Sequence, residues 1–260
     1  MAQLLMGAPV AEAITASLSV RADRLKERGI QPVLAIVRVG DNTDDRAYES
    51  AAAKRCQRIG IQVKPFACSP EELLAIIDEI NRDESIHGCL LLRPLADKEL
   101  EAAACERLYP QKDADQPSCT AQACLEILDY YGVPLQNRSV CVIGRSAVVG
   151  KPVRELLEAR GAEVTVCHSQ TPDISAVCRR AEILVSAVGK AGLVTADCVV
   201  PGQIVVDVGI NAAPNGKLCG DVDFPTVEPI VSAITPVPGG VGSVTTAVLC
   251  KHIIEAAEIR

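Results

Sequence analysis

Residues 140–152 read Val140-Cys141-Val142-Ile143-Gly144-Arg145-Ser146-Ala147-Val148-Val149-Gly150-Lys151-Pro152. A short apolar run passes through a loop with glycine at both ends and enters a stretch of helical character. That layout can seat a pyrophosphate on the free backbone N–H groups of a helix N-terminus. The spacing is not Gly-x-Gly-x-x-Gly, so a strand-to-helix turn whose glycines only relieve crowding fits the same residues.

Working outward, residues 139–143, 163–167, 183–186 and 204–208 read as short Val- and Ile-rich strands, and residues 245–259 as an amphipathic helix. Upstream, the pattern predicts a helix over 11–28, a strand over 33–39 and a helix over 46–60. A short strand follows at 61–63, then a helix opened by Ser69-Pro70-Glu71-Glu72 and a buried strand over 88–92. Residues 109–118 lack periodicity and read as a loop near a domain boundary, before a helix over 120–131. Strand alternating with helix predicts an α/β fold with parallel sheets, divided into two α/β domains.

Composition agrees with that class. Of 260 residues 48% are hydrophobic but only 2% aromatic, with no Trp, so the core must be aliphatic, as in strands covered on both faces. A formal net charge of −7 argues against a nucleic-acid partner and leaves room for an anionic cofactor held by local cations. The twelve cysteines are scattered through apolar runs. Neither Cys119 with Cys124 nor Cys167 with His168 completes a zinc framework, so no metal is expected and a reducing cytoplasm is. Residues 229–250 carry no charge but contain Pro229, Pro236, Pro238, Gly239, Gly240 and Gly242, which excludes a membrane helix. No Lys or Arg precedes Arg21, which argues against a signal peptide.

Nicotinamide-binding units that hold a free ribose place a carboxylate near the end of the second strand. Here that strand ends Cys167-His168-Ser169-Gln170-Thr171, with no carboxylate. Arg145 on the first loop and Ser169 on the second could receive a 2′-phosphate, which favours NADP over NAD. His168 reads equally as a packed strand-end residue. Asp207 to Asn211, Gly220 to Phe224 and Thr235 to Gly242 form further strand-end turns.

In this order the segments VGDN, GRSAVVGKP, TVCHSQT, VGKAG, VDVGIN, GDVDF and TPVPGGVG resemble the methylenetetrahydrofolate dehydrogenase/methenyltetrahydrofolate cyclohydrolase family along nearly the whole chain. The resemblance implies two α/β domains flanking a cleft, the second a Rossmann-type NADP-binding domain, and a homodimer. Residues 1–119 with 243–260 would form the folate-binding catalytic domain and 120–242 the NADP domain. Hydride would pass from methylenetetrahydrofolate to NADP, and the methenyl product would be hydrolysed in the same cleft. Gly144, Arg145, Ser146, Val149, Gly150, His168, Ser169 and Ile210 would bind the cofactor. Tyr48, Leu92, Asp115, Pro238, Gly239, Gly240 and Val241 would contact the folate, with Tyr48 and Asp115 catalytic and Asp115 anchoring the pterin.

The chain departs from the family at its chemistry. The family helix reads Tyr-x-x-x-Lys-x-Lys, whereas here Tyr48 is followed by Ala52 at the essential Lys and by Lys54 at the second. Lys54 lies about 200° around the helix from Ala52 and cannot stand in for it. The family strand ending Val-Gln-Leu-Pro-Leu-Pro reads Leu91-Leu92-Arg93-Pro94-Leu95-Ala96, so Leu92 replaces the Gln that bonds that Lys. Lys112-Asp113-Ala114-Asp115-Gln116 keeps the pterin carboxylate, but the loop after it is shortened, and Ser243 replaces a usual Pro. Joint loss of Lys and Gln predicts an NADP-dependent methylenetetrahydrofolate dehydrogenase with weak or absent cyclohydrolase activity. The alternatives are an NADP-dependent oxidoreductase for another small substrate and a non-catalytic nucleotide-binding paralogue.

Overall fold

The computed structural model describes residues 1–213 and 216–259. The chain divides into two compact units, Met1–Ala11 with Pro117–Thr245 and Glu12–Gln116 with Thr246–Arg260. Both are α/β, and both are built on parallel sheets.

The unit containing residues 117–245 carries a six-stranded sheet in the order Gln3–Leu4, Ala233–Ile234, Ile204–Asp207, Ile183–Ser186, Ser139–Ile143, Glu163–Cys167, every pair parallel. The middle strands are buried along their lengths, and Cys141, Ile143, Leu184, Val205 and Ile234 share one aliphatic core. From Ser139–Ile143 the chain runs outward to Glu163–Cys167, then crosses back to Ile183–Ser186 on the other side. That reversal is the topological switch point at which open α/β sheets bind ligands, beyond the carboxyl ends of the strands.

The amino terminus departs from the expected partition of 1–119 with 243–260. Gln3 and Leu4 pair with Ala233 and Ile234, which ties residues 1–11 to the large sheet. Two-residue strands have no periodicity, so neither partner is visible as a strand in the sequence. The closing helix, Thr245–Ile259, falls with Glu12–Gln116 from Thr246 onward, and the Cys250 and Cys56 sulfurs lie 3.6 Å apart.

In that second unit three parallel strands run in the order Gln62–Cys68, Val33–Val39, Gly88–Leu91. The first is longer than the 61–63 expected from the pattern. Lys64 and Pro65 interrupt its apolar character, yet Pro is tolerated on an edge strand, where no inward N–H is needed. The helix Thr43–Ile59 starts earlier than expected because Asn42 accepts the Asp44 N–H as its cap, and Asp44 and Asp45 favour the positive end of the helix dipole. Its Ala52, Cys56 and Ile59 lie one helical turn apart and are buried. Leu73–Arg82 buries Leu73, Ile77 and Ile80 in the same way, and Glu72 reaches back to the Ser69 N–H. Lys98–Arg107 follows, capped by Asp97.

Residues 109–116, expected as plain loop, are firmly held. Pro110–Lys112 is a single 3-10 turn, Asp113 bridges to Cys89 beside the Gly88–Leu91 strand, and Ala114 N–H donates to the Cys89 carbonyl. Lys112 is only 3% exposed, and its Nζ donates to the carbonyls of Ile80 and Asp83 at the end of the Leu73–Arg82 helix. A buried ammonium is tolerated there because orphan carbonyls and the negative end of the helix dipole receive it. Replacing it as Lys112→Met should lower stability by about 2–3 kcal/mol, since helix-end carbonyls would be buried without a donor. Urea unfolding followed by circular dichroism reads the change, and an unaltered midpoint would mean that the amine does not hold the helix end.

Candidate functional site

In the unit with residues 117–245 the expected cofactor residues gather on neighbouring loops. Ile143 pairs with Cys167, and Gly144 N–H extends the ladder to the Cys167 carbonyl at 2.9 Å, so Gly144 and Arg145 leave the sheet beside His168 and Ser169. Arg145, Ser146 and Ser169 are exposed. Gly144 has φ +114°, and a Cβ there would lie 2.3 Å from the Ala187 carbonyl oxygen across the switch point. A Cβ on Gly150 would lie 2.4 Å from the Gly144 oxygen, so both glycines are required by backbone packed against backbone.

The amides at the Gly150–Ala159 helix start are not all free. Val149 and Gly150 both donate to Ser146 Oγ at 3.2 Å, so the serine hydroxyl takes two donors that the sequence left open for a phosphate. His168 closes its own turn: its N–H donates to Thr171 Oγ1, and its Nδ1 accepts the Gln170 N–H. The residues present fit a nicotinamide dinucleotide bearing a 2′-phosphate, because the second strand ends without a carboxylate while a guanidinium and a hydroxyl stand on the two loops.

Two carboxylates that sequence reasoning passed over as turn residues organise the remaining loops. Asp207, at the end of its strand, accepts the Gly209, Asp221 and Val222 N–H groups at 2.9–3.0 Å. Burial pushes its carboxyl up to about 6, against the opposing pull of those three amides. Asp221 then accepts Val188, Gly189 and Lys190 N–H, Ser186 Oγ and Asn211 Nδ2. A Cβ on Gly220 would sit 1.8 Å from Asp207 Oδ2, and one on Gly209 2.2 Å from Asp221 Oδ1. Glycine flanking each aspartate was the available signal. Ile210 is carried on this framework and is 65% exposed.

The turn over residues 238–241 packs on the amino terminus. Gly7 N–H donates to the Gly239 carbonyl at 2.8 Å, Gly239 has φ +110°, and a Cβ on Gly7 would meet the Gly240 oxygen at 2.1 Å. Pro238 is exposed and Val241 buried.

In the other unit, Tyr48 is half-buried on the Thr43–Ile59 helix, one turn from Ala52, which is 0% exposed. Lys54 is exposed, as the helical offset requires. Leu92, 7% exposed, donates its N–H to the Val37 carbonyl just past the end of the Gly88–Leu91 strand. Asp115 is half-buried, and its N–H donates to Asp113 Oδ1. The Arg93 Nη2 donates to Asp115 Oδ2 at 2.9 Å, a pairing between residues 22 apart that local sequence does not reveal. Burial pushes the Asp113 carboxyl up, and the Arg93 charge opposes it.

The cysteines behave as small apolar fillers. All twelve are unbridged, ten of them buried, and burial pushes the Cys89 and Cys124 thiols up to about 12, so both stay protonated. Among the described residues no group of three or more His, Cys, Asp or Glu could hold a metal, and no helix is long and apolar enough to cross a membrane.

Comparison with known proteins places this geometry. Residues 5–115 match tetrahydrofolate dehydrogenase/cyclohydrolase, catalytic domain, and residues 118–260 match tetrahydrofolate dehydrogenase/cyclohydrolase, NAD(P)-binding domain. The bifunctional protein FolD of Carboxydothermus hydrogenoformans is 48% identical across 100% of this chain and 98% of that protein. That alignment runs over 283 positions, more than the 260 residues here, so the relative has residues with no counterpart in this chain. The crystal structure of the bifunctional FolD from Campylobacter jejuni has a TM-score of 0.95 at 36% identity, covering 100% of both chains. The Trypanosoma brucei dehydrogenase-cyclohydrolase, complexed with NADP and an inhibitor, has a TM-score of 0.92 at 32% identity, covering 99% of this chain and 98% of that one. With both halves matched, the chain belongs to the tetrahydrofolate dehydrogenase/cyclohydrolase family.

Proposed function

We propose that the chain is an NADP-dependent methylenetetrahydrofolate dehydrogenase whose methenyltetrahydrofolate cyclohydrolase activity is weak or absent. The observation that carries this reading is that Ala52 and Leu92, at the two positions where the family has its Lys and Gln, are both apolar and buried. A leftover buried polar partner would be costly, so the two losses are consistent with one abandoned pair.

Bound NADP supplies the hydride acceptor. The chain supplies position: Tyr48 lines the folate site, Asp115 holds the pterin, and Pro238, Gly239, Gly240 and Val241 shape a wall. Gly144, Ser146, Val149, Gly150, His168 and Ile210 frame the dinucleotide, while Arg145 and Ser169 take the 2′-phosphate. Hydride transfer chiefly needs the two carbons held at near-attack distance, which survives loss of a proton-handling side chain. Water attack on the methenyl carbon needs a general base and acid as well. Neither Ala52 nor Leu92 can serve, and Lys54 faces elsewhere on the helix. Glu12–Gln116 with the closing helix is the folate unit in this reading, and 117–245 the NADP unit. A homodimer in a reducing cytoplasm completes it, supported on the redox side by the unbridged cysteines.

NADP should bind well over NAD, and Arg145→Ala should narrow the difference by about 10–100-fold, the worth of a charge-assisted phosphate contact of about 1.5–3 kcal/mol. Titration of both nucleotides against the two proteins measures this, and equal wild-type affinities would rule the assignment out.

The central test of the function separates the half-reactions. Purified protein should form NADPH from methylenetetrahydrofolate, while methenyltetrahydrofolate should decay little faster than it does spontaneously. Spectrophotometry follows both, and hydrolysis keeping pace with dehydrogenation would mean that another residue handles the proton.

Restoring the pair as Ala52→Lys with Leu92→Gln should recover measurable cyclohydrolase activity beyond the sum of the single changes. A Lys beside the apolar Leu92 would be disfavoured in its charged form, whereas Gln could orient the amine. Wild type, both singles and the double are assayed with folate binding in parallel. A double variant that binds folate normally yet stays inactive would move the cause to the shortened segment after Asp115.

A further inference from the structure

Within the unit of residues 117–245, at the end of the large sheet away from the Gly144 and His168 loops, lies a cavity of about 490 Å³. Arg138 enters the Ser139–Ile143 strand, Arg179, Arg180 and Glu182 lead into Ile183–Ser186, and Gln203 leads into Ile204–Asp207. These three strands are neighbours and parallel, so their entry turns meet at one place. Gln203, only 2% exposed, ties the turns together: it accepts the Val200 N–H at 2.7 Å and donates from Nε2 to the Cys178 and Ala181 carbonyls at 2.8 and 2.6 Å.

Three guanidiniums line this cavity against one carboxylate, in a chain whose formal net charge is −7. That carboxylate is engaged on both oxygens, since Glu182 Oε1 accepts from Arg138 Nη1 and Oε2 accepts the Ser139 N–H at 3.0 Å. Arg179 is anchored by one bond from Nη1 to the Asp197 carbonyl. The exposed Arg180 side chain has no hydrogen bond or ion pair among the described residues. A guanidinium carries five N–H donors in a planar fork, so most of the donors around this cavity are unspent. Beside them Val133, Pro134, Val200 and Pro201 form an apolar wall, and the volume falls within the range of small-molecule sites.

We propose that this cavity binds a small organic phosphate, its phosphoryl oxygens on the three guanidiniums and its carbon skeleton against Val133, Pro134, Val200 and Pro201. A doubly charged phosphate offers acceptors to several forks at once, which a single carboxylate cannot do. The site is distinct from the cofactor's, because it lies at the opposite ends of the strands and uses none of Arg145, Ser146 or Ser169.

Phenyl phosphate, a dianion on a flat apolar ring, is the probe, and inorganic phosphate is its comparison. Calorimetry on the full chain saturated with NADP keeps the cofactor's own phosphate site filled. Phenyl phosphate should bind with a Kd below about 1 mM and about tenfold more tightly than inorganic phosphate. Arg180→Gln and Arg179→Gln should each weaken it by about tenfold, the size of one hydrogen bond to a charged group, and the double variant should abolish it. Arg180 makes no bond within the fold, so its variant should keep the wild-type melting profile and NADP affinity. The Arg179 variant, which loses a bond to a backbone carbonyl, serves as the second, independent reading. Absence of binding, or binding untouched in the folded variants, would overturn the site. Inorganic phosphate binding as tightly as phenyl phosphate would overturn the organic ligand.

Discussion

The buried carboxylate of Asp207 is the fixed point of the nucleotide half. It ends a strand next to the switch point, and its two oxygens collect amides from Gly209, Asp221 and Val222. Asp221, positioned by that bond, collects the amides of residues 188–190. Loops from separate strands are thus tied into one scaffold by side-chain acceptors standing in for the missing ladder. The glycines at 209 and 220 are obligatory because each carboxylate occupies the space that a Cβ would need. Loops tied in this way have little conformational freedom left to lose.

The catalytic half uses the same physics on a smaller sheet. Three parallel strands give few anchor points, so the segment bearing Asp115 is fixed by Lys112 beneath a helix end and by the bridge from Asp113 to Cys89. Arg93 adds charge balance to a cluster in which burial already pushes the Asp113 carboxyl up. Its placement explains how an arginine can follow the buried Leu91 and Leu92 in the chain: the strand ends there, and the acidic segment beside it receives the charge. Arg93 directly follows the buried, apolar Leu92, and its charge is met at the strand end by Asp115.

Much of this was legible in the chain. Aliphatic runs such as Val33–Val39 and Ile183–Ser186 predict strands covered on both faces, and the helix Thr245–Ile259 coincides with its predicted span. The glycine-bounded loop after Ile143 is where the sequence puts it. Less legible were Gln62–Cys68, whose Lys64 and Pro65 disguise an edge strand, and Gln3–Leu4, which is too short to show any period. Ser146 as an internal acceptor for the Val149 and Gly150 amides is equally invisible, because a serine in a glycine-bounded loop reads as a ligand contact.

The sequence by itself determined the class of fold and the family, because each depends on residue type and order along the chain. Only the tertiary structure decided that residues 1–11 belong with the large sheet, that Asp207 and Asp221 clamp the strand-end loops, and that Arg93 holds Asp115. These are pairings between groups 14, 22 and 31–33 residues apart, or at opposite ends of the chain. Local propensity carries no information about them, since an aspartate in a turn looks the same in sequence whether it faces water or gathers three buried amides.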